Sequence, residues 1–412
     1  MRKNRVWFVF FGCMLFYGAL MGVQYNCSGV LISGIMSAEG YSSSSLSGFF
    51  TLRNTFQAVA MLFTAQFLRR YDIRLVSFTA GVASAASLLL MVLYRSPRMW
   101  LLSGFLAGMG NSLSMLLPTS VINAWFTKRK GSFLGFVTML SGVLGMLLNP
   151  VISRYISIHG WKNAALLLGF LSLGLHLLAS LLLAKRPEDV GAEPYGGFDP
   201  EAILSDVRTN TRLLDGGITI HELKIYLFIL LSVSMTSKGI QMTSYIPQYS
   251  TSLGYPLEVG GRLTSAIMIG NFTAKFLFGI ICDWLGAWRS TQVFLAIIGL
   301  SFFLLAAFGG VLPVMYLACV LLGFSYMSGL ALSMVAVELF DRDHFETQYS
   351  RNSIFSTLVT VPLPYLISKV FDLTGSFRLI FLTFSALLWF GLLLISLRHR
   401  LGITGKTPAE SA

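Results

Sequence analysis

The chain has 412 residues, of which 55% are hydrophobic and only 12% charged, against about 25% charged in soluble domains. A water-soluble protein of that composition lacks the polar side chains to cover its surface, whereas lipid asks only for runs of about 20 apolar residues. The net charge of +12 is therefore a matter of membrane sidedness and calls for no nucleic acid.

Arg2, Lys3 and Arg5 precede an apolar run from Val6 to about Met36. It is too long for a secretory h-region and lacks a small-residue cleavage site, so it is expected to stay as the first span. Apolar windows between polar breaks predict twelve spans, at 6–36, 45–68, 75–94, 99–124, 131–156, 162–184, 223–252, 257–282, 290–309, 313–338, 352–371 and 377–397. The longest polar interval divides them into an N-terminal six-helix bundle (1–184), a central linker (185–222), a C-terminal six-helix bundle (223–398) and a tail (399–412). With the N-terminus cytoplasmic, 19 Lys and Arg fall in the cytoplasmic segments and six in the outer ones. The positive-inside rule thus predicts a multi-pass protein of the cell membrane with both termini and the linker in the cytoplasm. Cys13, Cys27, Cys282 and Cys319 all lie in apolar runs and read as small core residues.

The two sets of six spans resemble each other at an offset of 214. Gly40-Tyr41 lies over Gly254-Tyr255, Ala65 over Gly279, Phe126 over Phe340, Lys128 over Arg342 and Pro150 over Pro364. A duplicated six-helix unit places a substrate site at the midplane between repeats that rock to alternate access. After the eighth span the chain reads Gly279-Ile-Ile-Cys-Asp283-Trp-Leu-Gly286-Ala-Trp-Arg289, which resembles the G-x-x-x-D-x-x-G-x-x-R loop of the major facilitator superfamily. That resemblance implies an all-α membrane fold of two pseudo-symmetric six-helix bundles, with Gly279, Asp283, Gly286 and Arg289 as a cytoplasmic gating latch. The copy in the first repeat has Ala65, Arg69 and Asp72 where Gly, Asp and Gly belong, so the second copy is expected to carry most of the gating. The string Trp125-Phe126-Thr-Lys128-Arg129-Lys130-Gly131, with Ser141-Gly142, Gly145, Pro150, Gly160-Trp161, Arg186-Pro187-Glu188-Asp189 and Glu193-Pro194-Tyr195-Gly196, resembles the monocarboxylate transporter and oxalate/formate antiporter branch.

Ionised side chains in hydrocarbon are costly and default to function. Arg53, Lys238 and Lys275 lie well inside spans two, seven and eight. The candidate carboxylate inside a span is Glu338, near the cytoplasmic end of the tenth, where an ion pair or gate is as good a reading as a proton carrier. Three bases against one acid leave positive charge that an anion neutralises. Ser234, Lys238, Gln241, Tyr245 and Gln248 recur at +4, +3, +4, +3 on the seventh span, and Arg53, Gln57 and Thr64 form a stripe on the second. Gln24, with Tyr25 beside it on the first span, lies over Lys238 at the repeat offset. Such stripes avoid lipid and face a cavity or another helix. The resemblance further assigns Lys275, four residues before the motif glycine, to recognition of a substrate carboxylate. Proton-coupled relatives have an Asp four residues earlier, where this chain has Asn271, which cannot titrate.

The expected activity is secondary active transport of small organic anions, monocarboxylate-like, with antiport favoured over proton symport. The alternative is an exporter of amphiphilic compounds, against which three intramembrane bases weigh for cationic cargo. The expected partners are the anion, the bilayer and an exchanged anion or proton, the protein being monomeric. The five His are scattered without metal-ligand spacing, and no cofactor or catalytic constellation is expected. The Gly104-x₃-Gly108 and Gly131-x₃-Gly135 patterns read as packing within the bundle.

Overall fold

A computed structural model describes residues 5–94, 96, 98–114, 116–127, 130–196, 220–339, 356, 359–398 and 400. Among these the regular elements are helical, and the one strand-like pairing is a parallel bridge between Phe126 and Tyr195. In chain order they are α1 (Arg5–Glu39), α2 (Ser43–Arg70), α3 (Ile73–Leu89), α4 (Trp100–Asn111), α5 (Leu116–Trp125), α6 (130–159) and α7 (161–182). Then follow α8 (Ile220–Leu231), α9 (Lys238–Thr243), α10 (Ile246–Ser252), α11 (257–285), α12 (287–308), α13 (Leu312–Leu322), α14 (Ser328–Leu339), α15 (Leu363–Thr374) and α16 (Arg378–Ser396).

Eight helical stretches among the described residues are long and apolar enough to cross a membrane. They take in spans one, three to nine and twelve of the expected set, with five and six joined in one stretch. The α2 helix has 28 residues but carries Arg53, Asn54 and Gln57, and is not one of the eight. Residues 197–219 of the linker, 340–355 ahead of α15, and the tail from 401 lie outside the described residues, as do Lys128 and Arg129.

The chain forms two compact units. One comprises Met1–Asp206 with Ser244–Ser265 and Val361–Asp372; the other comprises Val207–Thr243, Ala266–Thr360 and Leu373–Ala412. In the first unit the usual inside-outside pattern of a soluble protein is inverted. Ser77, Ser84 and Ser87 of α3 are buried, while Leu147 and Val151 of α6 and Phe170 and Leu181 of α7 stand exposed. Small faces let helices approach closely and large apolar side chains are left for lipid. A Cβ on Gly104 would meet the Phe49 carbonyl oxygen at 2.5 Å, and one on Gly108 the Arg53 carbonyl oxygen at 2.5 Å, so α4 packs backbone to backbone on α2. Gly135 behaves differently: a Cβ there would meet nothing within 4 Å, so this half of the second small-residue pattern does not mark a close helix contact.

At one end of this unit the start of the linker is pinned. Trp125 Nε1 donates to the Ala184 carbonyl oxygen (2.9 Å), Tyr195 N to Trp125 O (2.8 Å) and Thr127 N to Tyr195 O (3.0 Å). Around this pairing Trp7, Phe10, Phe126, Phe133 and Tyr195 make edge-on and tilted ring contacts 4.1–6.5 Å apart. The Trp125-Phe126 and Pro194-Tyr195 motifs are therefore two sides of one contact. In the second unit α11 and α13 cross at Gly270 and Gly323, where added Cβ atoms would run into the Val320 and Ile267 carbonyl oxygens. Phe302 of α12 stacks on Phe384 of α16 (5.3 Å).

Tight junctions use glycine where only glycine fits. Gly160 (φ 80°, ψ 161°) separates α6 from α7, and Gly286 (φ 76°, ψ 166°) separates α11 from α12. Both occupy a region of backbone space that side chains with a Cβ essentially do not enter. The paired glycines of the sequence repeat, Gly40 and Gly254, are both left-handed (φ 68° and 85°), each at the end of a helical segment.

Candidate functional site

The predicted spans are not uniform helices, and the departures follow a pattern. The first span winds as a π-helix over Gly18–Tyr25, and the fourth breaks into turns at 112–114. The seventh carries a 3₁₀ stretch at Val233–Ser237 and a further turn at 244–245, and the tenth a 3₁₀ stretch at Gly323–Met327. Shifted by 214, Gly18–Tyr25 becomes 232–239 and 112–114 becomes 326–328, so the breaks recur at matching places in the two repeats. Their cause is local. Hydroxyls of Ser112, Ser232, Thr236 and Ser237 donate back to carbonyl oxygens three or four residues earlier, at 2.5–2.7 Å, a competition that bends helices. Gly18 and Gly22 admit Leu140 and Leu144 of α6 against the π segment. Irregular backbone at membrane depth is tolerated where it is buried in protein or lines a cavity.

The continuous stripe expected on the seventh span is thus split. Ser234, Lys238 and Gln241 belong to the second unit, Tyr245 and Gln248 to the first, and all five are buried.

In the first unit Arg53 is fully buried. Its guanidinium carbon lies 3.9 Å from the Tyr25 ring centroid and 5.0 Å from that of Phe50, and Nη1 donates to Ser28 Oγ (3.1 Å). Aromatic faces attract a desolvated cation. Phe50 also meets Tyr245 (centroids 5.7 Å), whose hydroxyl donates to the Pro364 carbonyl oxygen (2.9 Å) and accepts from Ser368 Oγ (3.3 Å). Beside Phe50 and Tyr245, a cleft also lined by Gly29, Ser47 and Gln248 has room for about one water molecule. Gly29 is required there, since a Cβ would meet the Ser244 carbonyl oxygen at 2.6 Å. Gln24 is buried and accepts a hydrogen bond from Asn111 Nδ2 (3.0 Å), leaving Gln24 Nε2 and Asn111 Oδ1 without partners among the described residues. Gln57 is half-buried, and Thr64 donates to its own helix at Ala60. Sequence reasoning missed Asn111, Phe50 and Ser368; a buried Asn beside a Gly-Ser break was the signal available for the first.

In the second unit Lys238 is buried and its Nζ donates to the Ser356 carbonyl oxygen (3.0 Å) and Oγ (3.5 Å). Lys275 is half-buried, and among the described residues it has neither a hydrogen bond nor an ion pair. Asn271, one turn before it, is buried with Nδ2 3.9 Å from Met268 Sδ and Oδ1 unpartnered among the described residues. Gln241 is buried on α9. Of the gating residues, Gly279 lies within α11, Gly286 makes the junction, and Arg289 is exposed one turn into α12. The side chains of Asp283 and Glu338 lie outside the described residues, as do those of Ala65 and Arg69. Asp72 caps α3 by accepting from Arg74 N (2.7 Å).

Membrane-length helices with buried bases and matched breaks define a polytopic helical transporter fold. Residues 11–364 match the sequence profile of the Major Facilitator Superfamily, and the chain belongs to that family. It is 24% identical over 379 residues to the riboflavin transporter MCH5 of Saccharomyces cerevisiae, covering 87% of this chain and 71% of that protein. It is 24% identical over 287 residues to monocarboxylate transporter 4 of Rattus norvegicus (66% and 57%), and 24% identical over 187 residues to the MFS-type transporter pynF of Aspergillus niger (45% and 39%). The chain thus spans well under two thirds of the latter two relatives. Among solved structures it superposes on a bacterial homologue of the human lysosomal transporter Spinster with a TM-score of 0.72 at 15% identity, covering 99% of this chain and 100% of that one. On a D-xylose–proton symporter the TM-score is 0.71 at 12% identity, covering 96% and 97%. These likenesses fix the fold. The chain is a multi-pass helical membrane protein of this superfamily.

Proposed function

We propose that this transporter moves small organic anions of the monocarboxylate type across the cell membrane, with both termini cytoplasmic and antiport favoured over proton symport. The observation that carries the reading is Lys275. A mid-span ammonium without an ion pair among the described residues is an expensive group to keep unless a ligand neutralises it. Lys238, held among the described residues by neutral oxygens of Ser356, supports the same reading in the second unit. Arg53 against Tyr25 and Phe50 supports it in the first, and Gln24, Gln57, Gln241, Tyr245 and Asn271 are the neutral groups proposed to orient the cargo. The similarity to a monocarboxylate transporter agrees with an anionic substrate, and the same three bases disfavour export of cationic amphiphiles.

The deciding experiment is uptake into proteoliposomes from a panel of labelled short-chain carboxylates, with riboflavin and a cationic dye as contrasts. Saturable carboxylate uptake that falls at least about tenfold in Lys275→Gln is expected. Transport of riboflavin or the dye alone would overturn the assignment.

A further inference from the structure

Within the first unit, the N-terminus of α2 is held by residues from two distant parts of the chain. Asp372, near the end of α15, accepts from Ser43 N with Oδ1 (3.1 Å) and from Ser44 N with Oδ2 (2.9 Å). These are amides of the first helical turn, which have no acceptor inside the helix, and a carboxylate there also meets the positive end of the helix dipole. The helix already has a cap of its own, since Ser42 Oγ accepts from Ser45 N, so Asp372 is additional to what helix formation needs. Gln248 of α10 takes the Ser43 hydroxyl (Ser43 Oγ to Gln248 Oε1, 3.0 Å).

Ser43 also lines the one-water cleft with Ser47, Phe50, Tyr245 and Gln248, and a separate recess of about 310 Å³ is lined by Ser37, Tyr41, Thr251 and Phe371. Ser33 and Gln248 line both spaces, and Ser33 Oγ and Gln248 Nε2 are buried there without partners among the described residues. Asp372 thus holds Ser43, which lines the collapsed cleft next to Phe50, a neighbour of Arg53, while Gln248, bonded to Ser43, lines both the cleft and the wide recess.

We infer that Asp372 is a gating and positioning residue: its carboxylate latches the N-terminus of α2 shut over the cleft, and release of the latch lets α2 swing and carry Arg53 with it. Ten residues of helix separate Ser43 from Arg53, about 15 Å, so the effect passes through the helix as a lever. The latch is exposed, and a capping carboxylate in such a setting shifts an equilibrium by about two- to fivefold.

The test uses the full-length protein with its four cysteines replaced and Ser47→Cys introduced, since Ser47 is buried and lines the cleft but not the recess. A membrane-impermeant thiol reagent is applied from the Gly40 face. Asp372→Asn and Asp372→Ala are each expected to label about two- to fivefold faster than the parent at equal abundance, with Asp372→Glu in between because it keeps the charge. Exchange rates should change while the substrate selectivity series stays in the same order. Parental labelling rates in both neutral variants, or an Asp372→Glu variant labelling as fast as Asp372→Ala, would overturn the latch. The labelling readout needs no assumption about which substrate is carried, so failure of the anion assignment leaves it intact.

Discussion

Replacing Lys275 removes a charge that nothing described in the structure balances, whereas replacing most buried charges would strand a partner. Lys275→Gln should therefore leave folding and membrane abundance unchanged, or raise them, while weakening anion transport about tenfold or more. Lys238→Gln should behave alike, because glutamine can still donate to the Ser356 carbonyl oxygen. Normal uptake by the double variant at parental abundance would remove both lysines from the mechanism. Two glycines give a second residue-level contrast. Gly286 sits at φ 76°, ψ 166°, so Gly286→Ala should cost about 1–3 kcal/mol, whatever the free space around it. Gly135 is helical with open space at its Cβ, so Gly135→Ala should be neutral or stabilising by up to about 1 kcal/mol. Thermal unfolding of the detergent-purified variants reads both; equal effects would mean that backbone strain is not what Gly286 relieves.

At the level of elements, the positions of the spans were legible because apolar length is a strong signal in lipid, and Arg53, Lys238, Gln24 and Tyr245 were legible because polar groups inside apolar runs stand out. The breaks in spans one and ten and the 3₁₀ stretch of span seven were not legible from periodicity, whereas the turns at 112–114 and 244–245 stand just ahead of Pro118 and Pro247, whose missing backbone N–H is a signal in the sequence. The breaks arise from serine and threonine hydroxyls bonding back to the helix and from glycines admitting a neighbour, effects that depend on packing as well as on sequence. The cost of missing them was the seventh-span stripe, which is buried throughout but does not run along one helix face. The Asp72 cap gives the loop asymmetry a sharper form. Asparagine caps a helix about as well as aspartate, so Asp72→Asn should leave transport near the parental rate. Asp283→Asn, in the intact copy of the motif, should slow it several-fold and change labelling of cysteines placed near Arg289. Equal slowing by the two substitutions would show that the degraded copy still gates.

For the whole molecule the open question is what drives uphill movement. A proton symporter needs a group at membrane depth that gains and loses a proton as access alternates. Each carboxylate with a described side chain lies at a helix end or in a connecting segment: Glu39 closes α1, Asp72 caps α3, Glu258 opens α11, Asp372 stands near the end of α15, and Glu188, Asp189 and Glu193 belong to the linker. At mid-span, next to Lys275, the chain has Asn271. On the proposed anion-site reading, a carrier whose mid-span Lys275 has no ion pair among the described residues is hindered from reorienting empty, because bare positive charge would cross an apolar barrier, but it reorients with an anion bound. The proposed reading therefore favours exchange, in which each outward trip would carry one anion and each return another. Liposomes loaded with unlabelled substrate at equal pH on both sides should take up labelled substrate much faster than empty ones, at least about tenfold, with little response to an imposed pH gradient. Substituting Asn271→Asp should then create what is missing, adding a gradient-driven component that the parent lacks. Uphill uptake into empty vesicles by the parent protein, driven by the gradient alone, would show that a proton reaches the bases by another route and that the exchange mechanism is wrong.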